Sequence, residues 1–200
     1  METPKPPHQR PELAEFWDHR FRNGVTPWDA GGVPEELQAF AAGLAVAPRT
    51  LIPGCGTAWE ARWLLDRGWP VTALDFSPAA IEAARPVIGP HRDCLLLADF
   101  FNFDMAEPFD LVYERAFLCA LPRSLWPAWA ARLPALIRPG GLLAGYFYFR
   151  DEPKGPPFGT SQKELNDLLT PAFSRLEDRE ASGSIPVFAG GERWQVWQRR

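Results

Sequence analysis

The segment Arg49–Ser77, RTLIPGCGTAWEARWLLDRGWPVTALDFS, reads as a strand, a glycine turn, a helix and a second strand, and it organises the rest of the chain. Thr50-Leu51-Ile52 is a short apolar run that stops at Pro53, as a buried strand does. Gly54-Cys55-Gly56 follows, where missing Cβ atoms let the backbone turn tightly and approach a ligand. Ala58, Ala61, Leu64 and Leu65 then share one face at helical spacing, and Gly68 stands where a helix terminates. Val71 to Leu74 is a second apolar strand, ending at Asp75, 19 positions after Gly56. An acid roughly 20 residues beyond a glycine turn is placed to accept from the two hydroxyls of a ribose.

Which nucleotide this unit takes depends on one position. The dinucleotide fingerprint G-x-G-x-x-G/A asks for a third small residue five after Gly54, and Trp59 stands there. An indole blocks the close helix–strand packing that seats a diphosphate. The shorter form, Gly54-x-Gly56 followed by Ala58, resembles motif I of class I S-adenosylmethionine (SAM) methyltransferases, whose ligand has no diphosphate. This favours SAM over NAD, although on this segment alone a plain glycine turn remains an alternative.

Two hundred residues suit one domain, long enough to bury roughly 70% of the surface the unfolded chain exposes. Apolar residues make up 46% and charged residues 23%, and the net charge of −4 offers no basic patch to nucleic acid or anionic lipid. The three cysteines, Cys55, Cys94 and Cys119, lack C-x-x-C spacing, which argues against a disulfide framework and a zinc site. A reducing cytoplasm follows, with no metal. The N-terminus METPKPPHQR has no apolar signal segment, and the run Leu142–Phe149 is too short to span a bilayer, so the expectation is a soluble protein.

In chain order, residues 1–10 read as a mobile tail and 11–45 as an N-terminal helical cap. The cap holds a helix over Glu12–Asn23 and another from Pro34 to about Leu44, with Val25-Thr26-Pro27-Trp28-Asp29 as an extended loop between them. After Asp75, Ser77-Pro78 starts a helix that Pro86 kinks or shortens. Cys94–Ala98 and Asp110–Tyr113 are strands three and four, ending near Asp99-Phe100 and Glu114-Arg115. Pro122–Arg138 is helical, broken into pieces by Pro127 and Pro134, and Pro139-Gly140-Gly141 turns the chain into a fifth strand, Leu142–Phe149. A proline- and glycine-rich loop, 150–161, precedes a short helix over Gln162–Leu169 and strands at Phe173–Glu180 and Arg193–Trp197, which Gly190-Gly191 connects. Alternating strands and helices imply an α/β fold with a mostly parallel, doubly wound sheet.

Several separated strings now stand together: Thr26-Pro27-Trp28-Asp29, Pro53-Gly54-Cys55-Gly56, Leu74-Asp75-Phe76-Ser77, Tyr113-Glu114-Arg115, Phe117-Leu118-Cys119-Ala120 and Gly155-Pro156-Pro157-Phe158. From about Phe16 to Trp197 the chain resembles the thiopurine S-methyltransferase family in its broad sense, which includes thiol and halide methyltransferases. The resemblance implies a seven-stranded class I fold and SAM-dependent methylation of soft nucleophiles: a thiol, a thiopurine-like heterocycle, a halide, or a selenium or tellurium oxyanion. It implies Gly54, Gly56 and Asp75 as cofactor contacts, Asp99 and Phe100 as the pair framing the adenine, and Trp17, Phe21 and Trp28 as aromatics covering the cofactor. Arg115 matches a basic position used near cofactor and substrate, and it is the candidate catalytic residue. Trp28, Arg115 and Phe158 are the candidate acceptor contacts. Phe21 departs from the tryptophan usual at its position, and Arg115 from the tyrosine of the plant branch, so the chain mixes two branches.

Methyl transfer from a sulfonium to a thiolate consumes two opposite charges, so the site must align the reactants and exclude water. Alignment can supply up to roughly 7–11 kcal/mol, and a thiol of low pKa needs no base. None of His8, His19 or His91 sits in a motif. Each candidate has a bland alternative: Trp17, Phe21 and Trp28 as plugs between cap and sheet, Asp75 as a solvated strand end, Asp99 as a turn cap, Arg115 as half of an ion pair. Trp59, Trp63, Trp126, Trp129, Trp194 and Trp197 read as packing, and Cys119 as a buried apolar residue. The partner expected is a small-molecule acceptor met by a monomer. A NAD-dependent oxidoreductase and a non-catalytic SAM sensor are the competing functions.

Overall fold

The computed structural model of the protein describes residues 5–152 and 154–200. Part of the expected tail, residues 1–4, lies outside them; Pro7–Gln9 form a 3-10 turn. The cap helices are α1 (Ala14–Arg22) and α2 (Glu35–Ala42). The first half of the sheet then alternates β1 (Thr50–Pro53), α3 (Trp59–Leu65), β2 (Val71–Asp75), α4 (Pro78–Ile88), β3 (Leu95–Leu97) and β4 (Phe109–Glu114). The second half comprises α5 (Trp126–Leu136), β5 (Ile137–Tyr148), α6 (Gln162–Leu169), β6 (Phe173–Glu180) and β7 (Glu192–Arg199). The seven strands lie in the order β3-β2-β1-β4-β5-β7-β6. β1 to β5 pair in parallel, and β7 runs antiparallel between β5 and β6. The chain departs from β1 in both directions along the sheet, so a cleft opens beyond the carboxyl ends of β1 and β4.

Side-chain alternation sorts the core onto the two faces. Leu51, Val112, Leu143 and Phe147 face α5 and α6, where Trp126, Trp129, Leu133 and Leu165 are buried. Ile52, Leu111, Tyr113, Ala144 and Tyr146 face the other way, onto Leu37, Ala61, Leu64 and Ala84. Trp126, Trp129, Trp194 and Trp197 are each at most 2% exposed, which accounts for four of the nine tryptophans as core. Among the described residues no helix is long and apolar enough to cross a membrane.

Proline disrupts less than the sequence suggests. Pro86 sits in the last turn of α4, which continues to Ile88. Pro127 occupies the first turn of α5, where its missing N–H would have had no helical partner, and Pro134 falls within that helix's final turn. Both helices therefore survive whole. Pro139-Gly140-Gly141 is also not a turn before β5 but part of it: the register jumps from Phe109↔Ile137 to Leu111↔Leu142, so the extra residues bulge out of the ladder.

Two carboxylates fasten the cap. Asp18 accepts from the Ser77 hydroxyl at 2.6 Å and the Ala79 amide at 3.0 Å, docking α1 on the start of α4. Asp29 accepts from the Thr57 hydroxyl at 2.7 Å and the Trp59 indole at 3.1 Å, tying the Trp28 loop to the glycine turn.

Candidate active site

Cap and strand ends enclose a cavity of about 490 Å³ over β1 and β4. Its floor is the turn after β1. Gly54 has φ +59°, and a Cβ there would meet the Phe117 ring at 2.5 Å; Gly56 has φ +51° and lies under the Phe21 ring. Both positions therefore require glycine, and together they leave a shallow cradle of backbone. Ala58 and Ala116 also take positive φ, at 62° and 57°. Such strain in non-glycine residues, on the order of 1–3 kcal/mol each, gathers where the surrounding structure enforces a site.

Asp75 closes the cradle. Its two oxygens accept from the Gly56 amide at 3.1 Å and the Ser77 amide at 2.9 Å, which still leaves lone pairs for a ligand. Burial pushes its carboxyl up to about 6, against the pull of those amides. Asp99 lines the wall beyond β3 and accepts from the Phe101 amide and the Asn102 side chain, so it is both a turn cap and a cavity residue. Phe100 is buried beside it, edge-on to Phe117.

Trp17, Phe21 and Trp28 form the roof. Trp28 meets Trp17 and Phe21 edge to face, with centroids 5.4 and 6.0 Å apart, and the Trp17 indole donates to the Pro11 carbonyl. Arg115 lines the inner wall, 3.7 Å from Glu60 and stacked on the Tyr146 ring. The Tyr146 hydroxyl in turn donates to buried Glu36. Cys119 lines the cavity too, but burial and nearby Glu114 push its thiol well up, so it is an apolar wall and not a nucleophile.

The structure thus gathers Trp17, Phe21, Trp28, Gly54, Gly56, Asp75, Asp99, Phe100 and Arg115 around one cavity. Phe158 is the exception. Its amide donates to the Cys119 carbonyl at 2.7 Å, and its ring turns behind Cys119 toward Leu118 and Trp126, away from the cavity. Pro156 and Pro157 line the cavity in its place. Sequence reading also misassigned Trp59, which lines the cavity and anchors Asp29, and it passed over Glu60, Tyr113, Leu121, Leu125 and Phe188. Only Trp59 carried a signal: a large indole next to a glycine turn needs a partner for its N–H.

A glycine cradle, a strand-end acid with free lone pairs, and a largely buried arginine facing a carboxylate fit a nucleoside that carries an amino-acid end. Fold and site together define a class I SAM-dependent methyltransferase. The family model for thiopurine S-methyltransferase (TPMT) matches residues 13–200. The Arabidopsis thaliana protein named Probable thiol methyltransferase 2 is 32% identical over 189 residues, covering 90% of this chain and 84% of that protein. The thiopurine S-methyltransferase of Nitrosospira multiformis is 31% identical, with 90% of each chain covered. The chain belongs to the thiopurine S-methyltransferase family. Among solved structures, Burkholderia thailandensis 1,6-didemethyltoxoflavin-N1-methyltransferase superposes with a TM-score of 0.76 at 19% identity, covering 100% of this chain and 93% of that one.

Proposed function

We propose that this protein transfers the methyl group of SAM to a small thiol, by in-line displacement within this cavity. The observation that carries this reading is the division of the cavity into a polar half, around Gly54, Asp75 and Asp99, and an apolar half, around Cys119, Leu121, Leu125, Pro157 and Phe188. No histidine or lysine is among the described residues that line it. An acceptor that must lose a proton on attack would find neither of those bases there; a thiol that enters as thiolate needs none.

Bound SAM supplies an electrophilic methyl group on a positively charged sulfur. Asp75 takes the ribose hydroxyls, Asp99 and Phe100 frame the adenine, and the Trp17, Phe21 and Trp28 rings face the cationic end, each contact contributing on the order of 0.5–2 kcal/mol when dry. The apolar half strips water from the thiolate, which raises its reactivity because the reaction consumes charge. Arg115 lines the same cavity, and its positive charge favours an anionic ligand group beside it. Pro156 and Pro157 of the 150–161 loop close the acceptor side.

The test is a radiolabelled methyl-transfer assay over a panel of thiols, a thiopurine, iodide, selenite and tellurite. The expected result is turnover of apolar thiols in preference to the oxyanions. Binding of SAM with transfer to no member of the panel would overturn the reading in favour of a SAM sensor.

A further inference from the structure

The inner wall of the cavity carries charge that the glycine turn and Asp75 do not use. Arg115 and Glu60 keep only 11% and 15% of their side-chain surface exposed, and both line the cavity. At 3.7 Å they attract one another without forming a hydrogen bond. The Tyr113 hydroxyl, fully buried in the same wall, lies beside Arg115 and close enough to feel both charges. A guanidinium and a carboxylate held largely away from solvent without a hydrogen bond between them are costly, and a ligand bearing both charges recovers that cost.

The remaining acids around the cavity are already engaged. Asp29 accepts from Thr57, Trp59 and the Gly31 amide. Asp75 and Asp99 each hold two donors. Glu12 sits at the exposed rim, paired with Arg10 at 2.8 Å. Among the described acids that line the cavity, Glu60 alone makes no side-chain hydrogen bond. Burial pushes its carboxyl up, and Arg115 pulls it back toward the ionised form.

We propose that Glu60 receives the α-ammonium group of the cofactor's amino-acid end, while Arg115 takes the carboxylate. The two charges of an α-amino acid are separated by a single carbon, so their receptors must be neighbours of opposite sign, as Glu60 and Arg115 are. This rests on SAM as the cofactor. It makes Glu60 a cofactor-binding residue with no part in acceptor choice.

The experiment is calorimetric titration of the wild type, Glu60→Gln and Glu60→Asp with three nucleosides: S-adenosylhomocysteine, its analogue lacking the α-amino group, and 5′-methylthioadenosine, which lacks the whole amino-acid end. Glu60→Gln is expected to weaken S-adenosylhomocysteine at least tenfold, to leave the deaminated analogue and 5′-methylthioadenosine within twofold, and to be partly rescued by Glu60→Asp. Removing the ligand's amino group and removing the protein's charge would then be non-additive, as for two halves of one contact. Additive losses, an unchanged S-adenosylhomocysteine affinity, or loss of 5′-methylthioadenosine binding in both variants would each overturn the proposal. Failure of the wild type to bind S-adenosylhomocysteine would instead overturn the cofactor assignment.

Discussion

The two halves of the cavity are built differently. The donor half stands on strand ends: Gly54 and Gly56 after β1, Asp75 at the end of β2, Asp99 beyond β3. The acceptor half is assembled from connections, with Leu121 and Leu125 around a 3-10 turn, Pro156 and Pro157 in the 150–161 loop, and Val187 and Phe188 before β7. A sheet holds its strand ends in place, whereas loops take positions set by what they pack against. Under the proposed function, recognition of the constant ligand falls on the frame, and recognition of the variable one on connections that can change without disturbing it.

The sharpest way to break this division is Asp75→Ala. It removes the ribose acceptor and leaves the Gly56 and Ser77 amides unpaired, so S-adenosylhomocysteine should bind at least 100-fold more weakly by calorimetry, about 3 kcal/mol, a loss typical of hydrogen bonds to a charged group. A wild-type affinity in this variant would place the donor elsewhere.

A smaller effect is expected from pH. With its carboxyl raised to about 6, Asp75 holds its proton more tightly in the folded protein than in the unfolded chain. Its contribution to stability therefore falls as pH rises from about 4 to 6. Ligand affinity has the opposite sign, since the ionised form is the better acceptor for hydroxyls. S-adenosylhomocysteine binding should weaken below about pH 6, by up to roughly tenfold per unit, and Asp75→Asn should flatten that profile.

The smallest change should come from the acceptor half. Val187→Phe narrows it and should raise KM for bulky thiols by roughly tenfold, with cofactor affinity within twofold, a difference on the scale of a few methylene groups in an apolar pocket. Phe158→Ala is its counterpart: that ring packs behind Cys119, so thermal stability should drop while the order of acceptor preference stays the same. A changed preference would return Phe158 to the site.

The same division explains what could be read from the sequence. The donor half was legible because glycines with positive φ and an acid at a fixed interval constrain a short segment by local geometry. The seven-stranded, mostly parallel sheet followed from strand–helix alternation together with the family resemblance. Trp59 was misread because its partner, Asp29, lies thirty residues upstream. Glu60 was invisible because an acid in a helix's first turn already has a local reason to be there, the positive end of the helix dipole. Phe158 was misplaced because one backbone hydrogen bond to Cys119 decides which way the loop faces, and nothing local specifies that bond. The prolines misled because propensity describes helix interiors, and Pro127, Pro86 and Pro134 sit near helix ends.

The bulge at Pro139-Gly140-Gly141 has a consequence for how the chain tolerates insertions and deletions. Beyond it, strict alternation from Leu142 onward puts the Tyr146 ring under Arg115 and Phe147 in the opposite core. Gaining or losing one residue after Leu142 would exchange those two faces and withdraw the ring that supports the arginine. The same change inside the bulge would be absorbed, because those residues are already out of step with β4. The bulge is thus slack in the backbone, a place where length can drift while the register at the active site is preserved.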